Sequence, residues 1–119
     1  MKYEDPGEYS VDEVEDAILA DRVEDLIQMV VSVSMYADDG AWAESVCLRL
    51  ANHSNSNVRG NAILGFGHIA RVHGNIESAK VKKLLKEALL DEHSYVRGQA
   101  HAAADDLEHF LGWKLVGSA

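Results

Sequence analysis

The sequence predicts an all-α fold, a short right-handed α-solenoid of about three antiparallel helix hairpins, on three observations. The first is an echo at a fixed period. Ser56-Asn57-Val58-Arg59-Gly60-Asn61-Ala62 returns 38 positions later as Ser94-Tyr95-Val96-Arg97-Gly98-Gln99-Ala100, with five of seven residues identical. The second is that each copy opens a segment whose apolar residues recur with the period of a helix. The third is a change of character between the copies. Ile63, Leu64, Gly65, Phe66, Gly67, Ile69 and Ala70 leave the upstream helix apolar nearly all round, whereas the same positions downstream are His101, Ala102, Ala103, Ala104, Asp105, Leu107 and Glu108. A helix apolar on every side is covered on several sides, and one with a charged flank is where a stack ends. A single unit of this kind cannot bury its own apolar face, so the units stack, and their product is a surface rather than a catalytic pocket.

Six helices follow in order. Ser10-Val11-Asp12-Glu13 reads as a capping box, so the first helix starts near Val11, with Val11, Val14, Ala17 and Ile18 inward and a tight break at Ala20-Asp21-Arg22. The second runs from about Val23 to Tyr36, with Val23, Leu26, Ile27, Val30 and Val33 or Ser34 inward, and Ala37-Asp38-Asp39-Gly40 makes a turn that the glycine closes. The third, from about Ala41 to Asn52, places Trp42, Val46 and Leu50 on one stripe with Cys47 beside it. The fourth spans Asn57 to about Val72 and stops at His73-Gly74-Asn75, where glycine supplies a left-handed cap. The fifth, about Ser78 to Leu90, turns Val81, Leu84, Leu85, Ala88 and Leu89 inward and Lys80, Lys82, Lys83 and Lys86 outward. The sixth, from Ser94 to about Leu111, faces the core with Val96, Ala100, Ala103, Leu107, Phe110 and Leu111. The whole chain, 1–119, is then one domain: an N-terminal arm 1–10, a degenerate hairpin 11–36, a repeat 41–73, and a repeat with its C-terminal cap 78–111.

At 119 residues and 47% hydrophobic content the chain is long enough for one real core and too apolar for disorder. Its single cysteine, Cys47, excludes an intramolecular disulfide and reads as a small buried hydrophobe, in keeping with a reducing compartment. With no apolar signal core after Met1 and no apolar stretch near the length of a membrane span, the expectation is a cytoplasmic protein that does not enter membranes.

The net charge of −9 is lopsided. Residues 1–25 hold ten acids (Glu4, Asp5, Glu8, Asp12, Glu13, Glu15, Asp16, Asp21, Glu24 and Asp25) against Lys2 and Arg22, so eight of the nine net charges lie at one end. Such an end repels a phosphate backbone, excludes direct nucleic-acid binding there, and suits either a basic protein partner or a merely solubilising cap.

Two helices per unit, a period near 40, and a second helix opening with Val-Arg and carrying Ala three positions after the Arg resemble HEAT repeats of the short bacterial kind, over roughly residues 41–111. The best copy is Leu89-Leu90-Asp91-Glu92-His93-Ser94-Tyr95-Val96-Arg97. The resemblance implies that the arginine pairs with an Asp of the inter-helix turn, which makes Arg97 a structural partner of Asp91 and Arg59 its counterpart. In the upstream unit His53 stands where that Asp belongs, which leaves Arg59 to cross to Asp91 in the next unit or to face a ligand.

Catalytic and metal chemistry find little support. Gly65 and Gly67 lie inside an apolar helical stripe, where they serve close helix packing; phosphate cradling needs a glycine-rich loop before a helix. His101, Asp105 and Glu108 share a helix face, with His109 one turn beyond Asp105, yet neighbouring helices supply no matching His or Cys pair, so the face reads as a charged, solvated flank. No nucleophile-base motif is present. The expectation is a protein without enzymatic activity, cofactor or metal.

What remains is a protein-binding module. Small, acidic, single-domain chains of this shape resemble bacterial immunity proteins, which implies a partner that is a basic, nuclease-type toxin whose active surface is covered. The alternative is a HEAT-repeat scaffold or regulatory adaptor subunit of a larger complex. The expected partner-binding residues are the acids Asp12, Glu13, Glu15, Asp16, Asp21, Glu24 and Asp25, with Tyr9, Tyr36 and Trp42 as aromatic anchors. The oligomeric state is not legible.

Overall fold

The computed structural model describes residues 9–115. They form six α-helices and no strands: α1 (Val11–Ala20), α2 (Val23–Tyr36), α3 (Gly40–Leu50), α4 (Ser56–His73), α5 (Lys80–Ala88) and α6 (Ser94–Leu111). Residues 1–8, which hold most of the expected N-terminal arm, lie outside the described residues.

The helix ends have identifiable causes. Before α1 the Ser10 hydroxyl accepts from the Glu13 N–H at 3.0 Å and Glu13 Oε1 accepts from the Ser10 N–H at 2.8 Å, completing the capping box. The helix stops where Asp21 adopts a left-handed backbone, φ 52°, and its N–H donates to the Ala17 carbonyl. The Asp39 carboxylate caps α3 through the Trp42 N–H, and Asn55 Oδ1 caps α4 through the N–H groups of Asn57 and Val58. Gly74, φ 70°, closes α4. Gly40 departs from expectation, since it is the first residue of α3 rather than a left-handed turn residue. Its role is steric, because a Cβ there would lie 2.8 Å from Cγ of His73.

The core is organised around α4, which packs against α2, α3 and α5 and most extensively against α6. Val58, Ala62, Ile63, Phe66, Ile69 and Ala70 of α4 are fully buried and meet Leu26, Val30 and Val33 of α2, Val46 and Cys47 of α3, and Val96, Ala100, Ala103 and Leu107 of α6 in one cluster. Both mid-helix glycines of α4 are contact points. A Cβ on Gly65 would sit 2.5 Å from Sγ of Cys47, and one on Gly67 would sit 3.0 Å from Cα of Ala103. The approximately 1 kcal/mol helix penalty of each glycine is thus offset by close approach to α3 on one side and α6 on the other.

Two expected core residues face outward. Val11, in the first turn of α1, is 54% exposed, and Phe110 is exposed at the last turn of α6, where its ring meets His109 edge-on at 4.6 Å. Ser34 and Val33 are both buried, and the Ser34 hydroxyl donates to the Val31 carbonyl at 2.9 Å.

The 38-residue echo has a hydrogen-bond counterpart. Arg59 Nη1 donates to the His53 carbonyl at 2.9 Å, and Arg97 Nη1 donates to the Asp91 carbonyl at 2.7 Å, so each arginine ties the start of its helix to the preceding turn. In both turns a side chain accepts the N–H two residues on: Asp91 Oδ1 from His93, and His53 Nδ1 from Asn55. A neutral imidazole with an unprotonated Nδ1 therefore does at 53 what a carboxylate does at 91.

The expected pairing of the Arg97 and Asp91 side chains does not form. The Asp91 carboxylate accepts from Arg59 of α4, at 2.8 Å from Nε and 2.9 Å from Nη2, and Arg97 uses only the Asp91 backbone carbonyl. The reason is the turn itself, which already aims one carboxylate oxygen at the His93 N–H and so turns the group toward α4.

Candidate functional site

The three aromatic residues expected as anchors come together. Tyr9 precedes the capping serine of α1, Tyr36 ends α2, and Trp42 lies in the first turn of α3; because α1 and α2 run antiparallel, these three ends meet. Tyr9, Tyr36 and Trp42, with Ser10, Glu13, Ala37 and Asp38, line a recess of about 440 Å³. Tyr9 and Trp42 are half-buried against the core, while Tyr36 is 59% exposed. A second groove of about 520 Å³ shares Tyr9 and Glu13 and continues between α1 and α2 past Asp16, Arg22, Asp25 and Gln28 to Met29. The two form one acidic, aromatic-walled surface.

Carboxylates set its electrostatics. Burial, then the charges of Asp25 and Glu13, push the Tyr9 hydroxyl above its ordinary pKa. Arg22 is the one base in the groove, and its Nε is engaged by Asp25 at 2.8 Å.

The seven expected acids do not make one uniform face. Four residues of α1 at positions 12, 13, 15 and 16 fan over roughly 160° of the helix at about 100° per residue, so they reach different neighbours. Glu13, Asp16 and Asp25 line the groove. Glu15 turns to α3, where Arg49 donates to both its oxygens at 2.5 and 3.1 Å and holds its carboxyl below the usual range. Asp21 accepts from His53 Nε2 at 2.7 Å, the ring nitrogen left protonated when Nδ1 accepts from Asn55. Asp12, Asp16 and Glu24 carry no ion pair among the described residues and are exposed.

The opposite end has the opposite sign. Lys82, Lys83 and Lys86 of α5 border a shallow groove with Leu90, which is 86% exposed, and Lys82 lies 5.3 Å over the Trp113 ring.

Other polar groups explain packing. Glu44 is buried, and its two oxygens accept from the Glu77 and Ser78 N–H groups at 2.9 and 2.7 Å, anchoring the segment that leads into α5. Nothing in the sequence marks it, because its partners are backbone amides in a loop 33 residues away. Asn61 is likewise buried, donating to the Ile27 carbonyl and accepting from the Tyr95 hydroxyl and Gln99. Burial pushes the Cys47 thiol up to about 12, so it stays protonated. Among the described residues no three His, Cys, Asp or Glu side chains gather as a metal site, and Glu108 accepts the Leu115 N–H instead. None of the described helices is long and apolar enough to cross a membrane.

Comparison with solved structures gives one informative likeness. A chain in the crystal structure of a CDI complex from Cupriavidus taiwanensis LMG 19424 matches with a TM-score of 0.73 and 25% sequence identity, over 92% of this chain and 97% of that one. No family model and no curated protein sequence matches the chain.

Proposed function

We propose that this chain is the immunity partner of a contact-dependent inhibition (CDI) toxin, acting in the cytoplasm. It binds a basic, nuclease-type toxin through the acidic and aromatic groove of α1, α2 and α3 and thereby covers the toxin's active surface. The observation that carries the reading is the near-complete match to a chain of a CDI complex. The groove adds the chemistry, since a nuclease must present positive charge to phosphate, and a carboxylate-lined surface with aromatic anchors complements that charge.

The frame is a short HEAT-like right-handed solenoid. Its support is the pair of equivalent arginine-to-carbonyl bonds 38 residues apart and the central place of α4 between earlier and later helices. On this reading the chain is not an enzyme and needs no cofactor. A scaffold or adaptor role explains the charge asymmetry less directly than a single basic antagonist does.

The decisive experiment is co-expression with the polypeptide encoded beside this gene, followed by purification and a nuclease assay. The expected result is a tight complex in which nuclease activity is lost. A neighbour that fails to bind, or binds with undiminished activity, overturns the proposal.

A further inference from the structure

Resting on that reading, we propose that the recess walled by Tyr9, Tyr36 and Trp42 seats one arginine side chain of the toxin, with its guanidinium on the aromatic faces and paired with Asp38 and Glu13. Four observations converge. First, among the described residues the recess is lined by three aromatic side chains and two carboxylates and by no lysine or arginine. The adjoining groove differs, for there Arg22 already occupies Asp25.

Second, the helix ends around the recess favour a cation. Helix N-termini repel positive charge, but both that border it are already quenched by carboxylates: Glu13 takes the Ser10 N–H before α1, and Asp39 takes the Trp42 N–H in α3. The third end is the C-terminus of α2, whose last turn has no basic residue to answer its carbonyls.

Third, Tyr9 at the wall of the recess has its hydroxyl raised first by burial and then by the charges of Asp25 in the adjoining groove and of Glu13 in the recess. Fourth, the recess of about 440 Å³ is some fifteen times the roughly 30 Å³ share of a liquid water, ample for a long side chain. Guanidinium fits better than ammonium because it stacks flat on an aromatic ring while its fork pairs with a carboxylate at the edge. Asp38 is exposed and in no ion pair among the described residues.

The first arm of the test needs no toxin. Nα-acetyl-arginine amide and its neutral isostere Nα-acetyl-citrulline amide are titrated into the isotope-labelled protein while the indole N–H signals of Trp42 and Trp113 are followed by NMR. The expected result is a saturable shift of the Trp42 signal with the arginine derivative, at least threefold weaker with citrulline, and no comparable shift at Trp113. Asp38→Asn and Tyr36→Ala, both at exposed positions, should weaken arginine binding at least threefold with unchanged melting. Equal response to citrulline, or wild-type binding by both variants, overturns the assignment. A toxin that binds wild type and both variants equally well removes the arginine seat and leaves the immunity reading intact. Specific arginine binding by a chain that inhibits no toxin does the reverse.

Discussion

Asp91, in the turn before α6, grips Arg59 of α4 with both carboxylate oxygens, at 2.8 and 2.9 Å, and leaves Arg97 of α6 only its backbone carbonyl. The pair ties the first turn of α4 to the turn that leads into α6. Both side chains are mostly buried, at 15% and 16% exposure, so the two-pronged geometry is held where solvent screens it little. Arg59→Ala or Asp91→Ala should each cost roughly 1–3 kcal/mol, since each strands a charged partner. A double-mutant cycle read by urea unfolding should give clear coupling between 59 and 91 and much less between 97 and 91. Equal coupling in the two cycles contradicts the geometry.

The same pair sets an acid limit. Hydrogen bonds from Arg59 hold the Asp91 carboxyl below its ordinary value of 3.8 in the folded protein, with the His93 N–H adding to the effect. As pH falls past 3.8 the unfolded chain takes up the proton first, so stability rises with pH in that window and is lost as pH drops through the folded value. Asp91→Asn should therefore lose less stability than wild type as pH is lowered from neutral through 3.8 and below. Parallel curves for the two proteins would remove Asp91 from the acid transition.

Two helical glycines should respond to alanine with opposite signs. Gly98 in α6 has nothing within 4 Å of its would-be Cβ, so Gly98→Ala should stabilise by about 0.5–1 kcal/mol through helix propensity. Gly65→Ala drives a methyl to 2.5 Å from Sγ of Cys47 and 3.1 Å from Cβ of Ser34, and should destabilise by roughly 1–3 kcal/mol despite the same propensity gain. Thermal melts of the two variants decide this, and a stabilised Gly65→Ala would mean that α3 and α4 are loosely packed.

These signs show where sequence reasoning reached and where it stopped. The limits of α2 and α6, the Ser10 capping box and the break at Asp21 were all legible, because local chemistry fixes them within a few residues. Periodicity puts Phe110 and Val11 on the inward faces, yet both lie in terminal turns and are exposed, because periodicity names a helix face but not how much of it is covered. The resemblance assigns Asp91 to Arg97 and leaves Arg59 as the alternative, since two arginines 38 residues apart present the same local pattern, and only the turn geometry selects Arg59. At the candidate site, the list of acids was readable but their division was not. Glu15 and Asp21 turn away to Arg49 and His53, both distant in sequence, while the convergence of Tyr9, Tyr36 and Trp42 depends on how three helix ends meet.

Cys47 provides a probe of the core. With its thiol buried and raised to about 12, almost none is thiolate at neutral pH, so a thiol reagent should react only as fast as the α3–α4 contact opens. Labelling should be slow in native buffer and complete in denaturant. Rapid native labelling would place Cys47 outside the core.

The proposed toxin interaction makes a prediction about rates. Asp12, Asp16 and Glu24 are exposed and hold no ion pair among the described residues, so their charge acts on whatever approaches the groove. Exposed charges speed encounter with an oppositely charged surface, and salt screens them with a Debye length of about 10 Å at 0.1 M. Aromatic contacts at Tyr36 and Trp42 act differently, since they form only after docking and therefore govern dissociation. Replacing Asp12, Asp16 and Glu24 together by lysine should slow association with the toxin by about tenfold or more at low salt and far less at high salt, while dissociation changes little. Tyr36→Ala should show the opposite pattern, with faster dissociation and an association rate near wild type. Stopped-flow kinetics at two ionic strengths separate the two. If the triple variant associates at the wild-type rate in low salt, the acidic groove is not what the partner approaches.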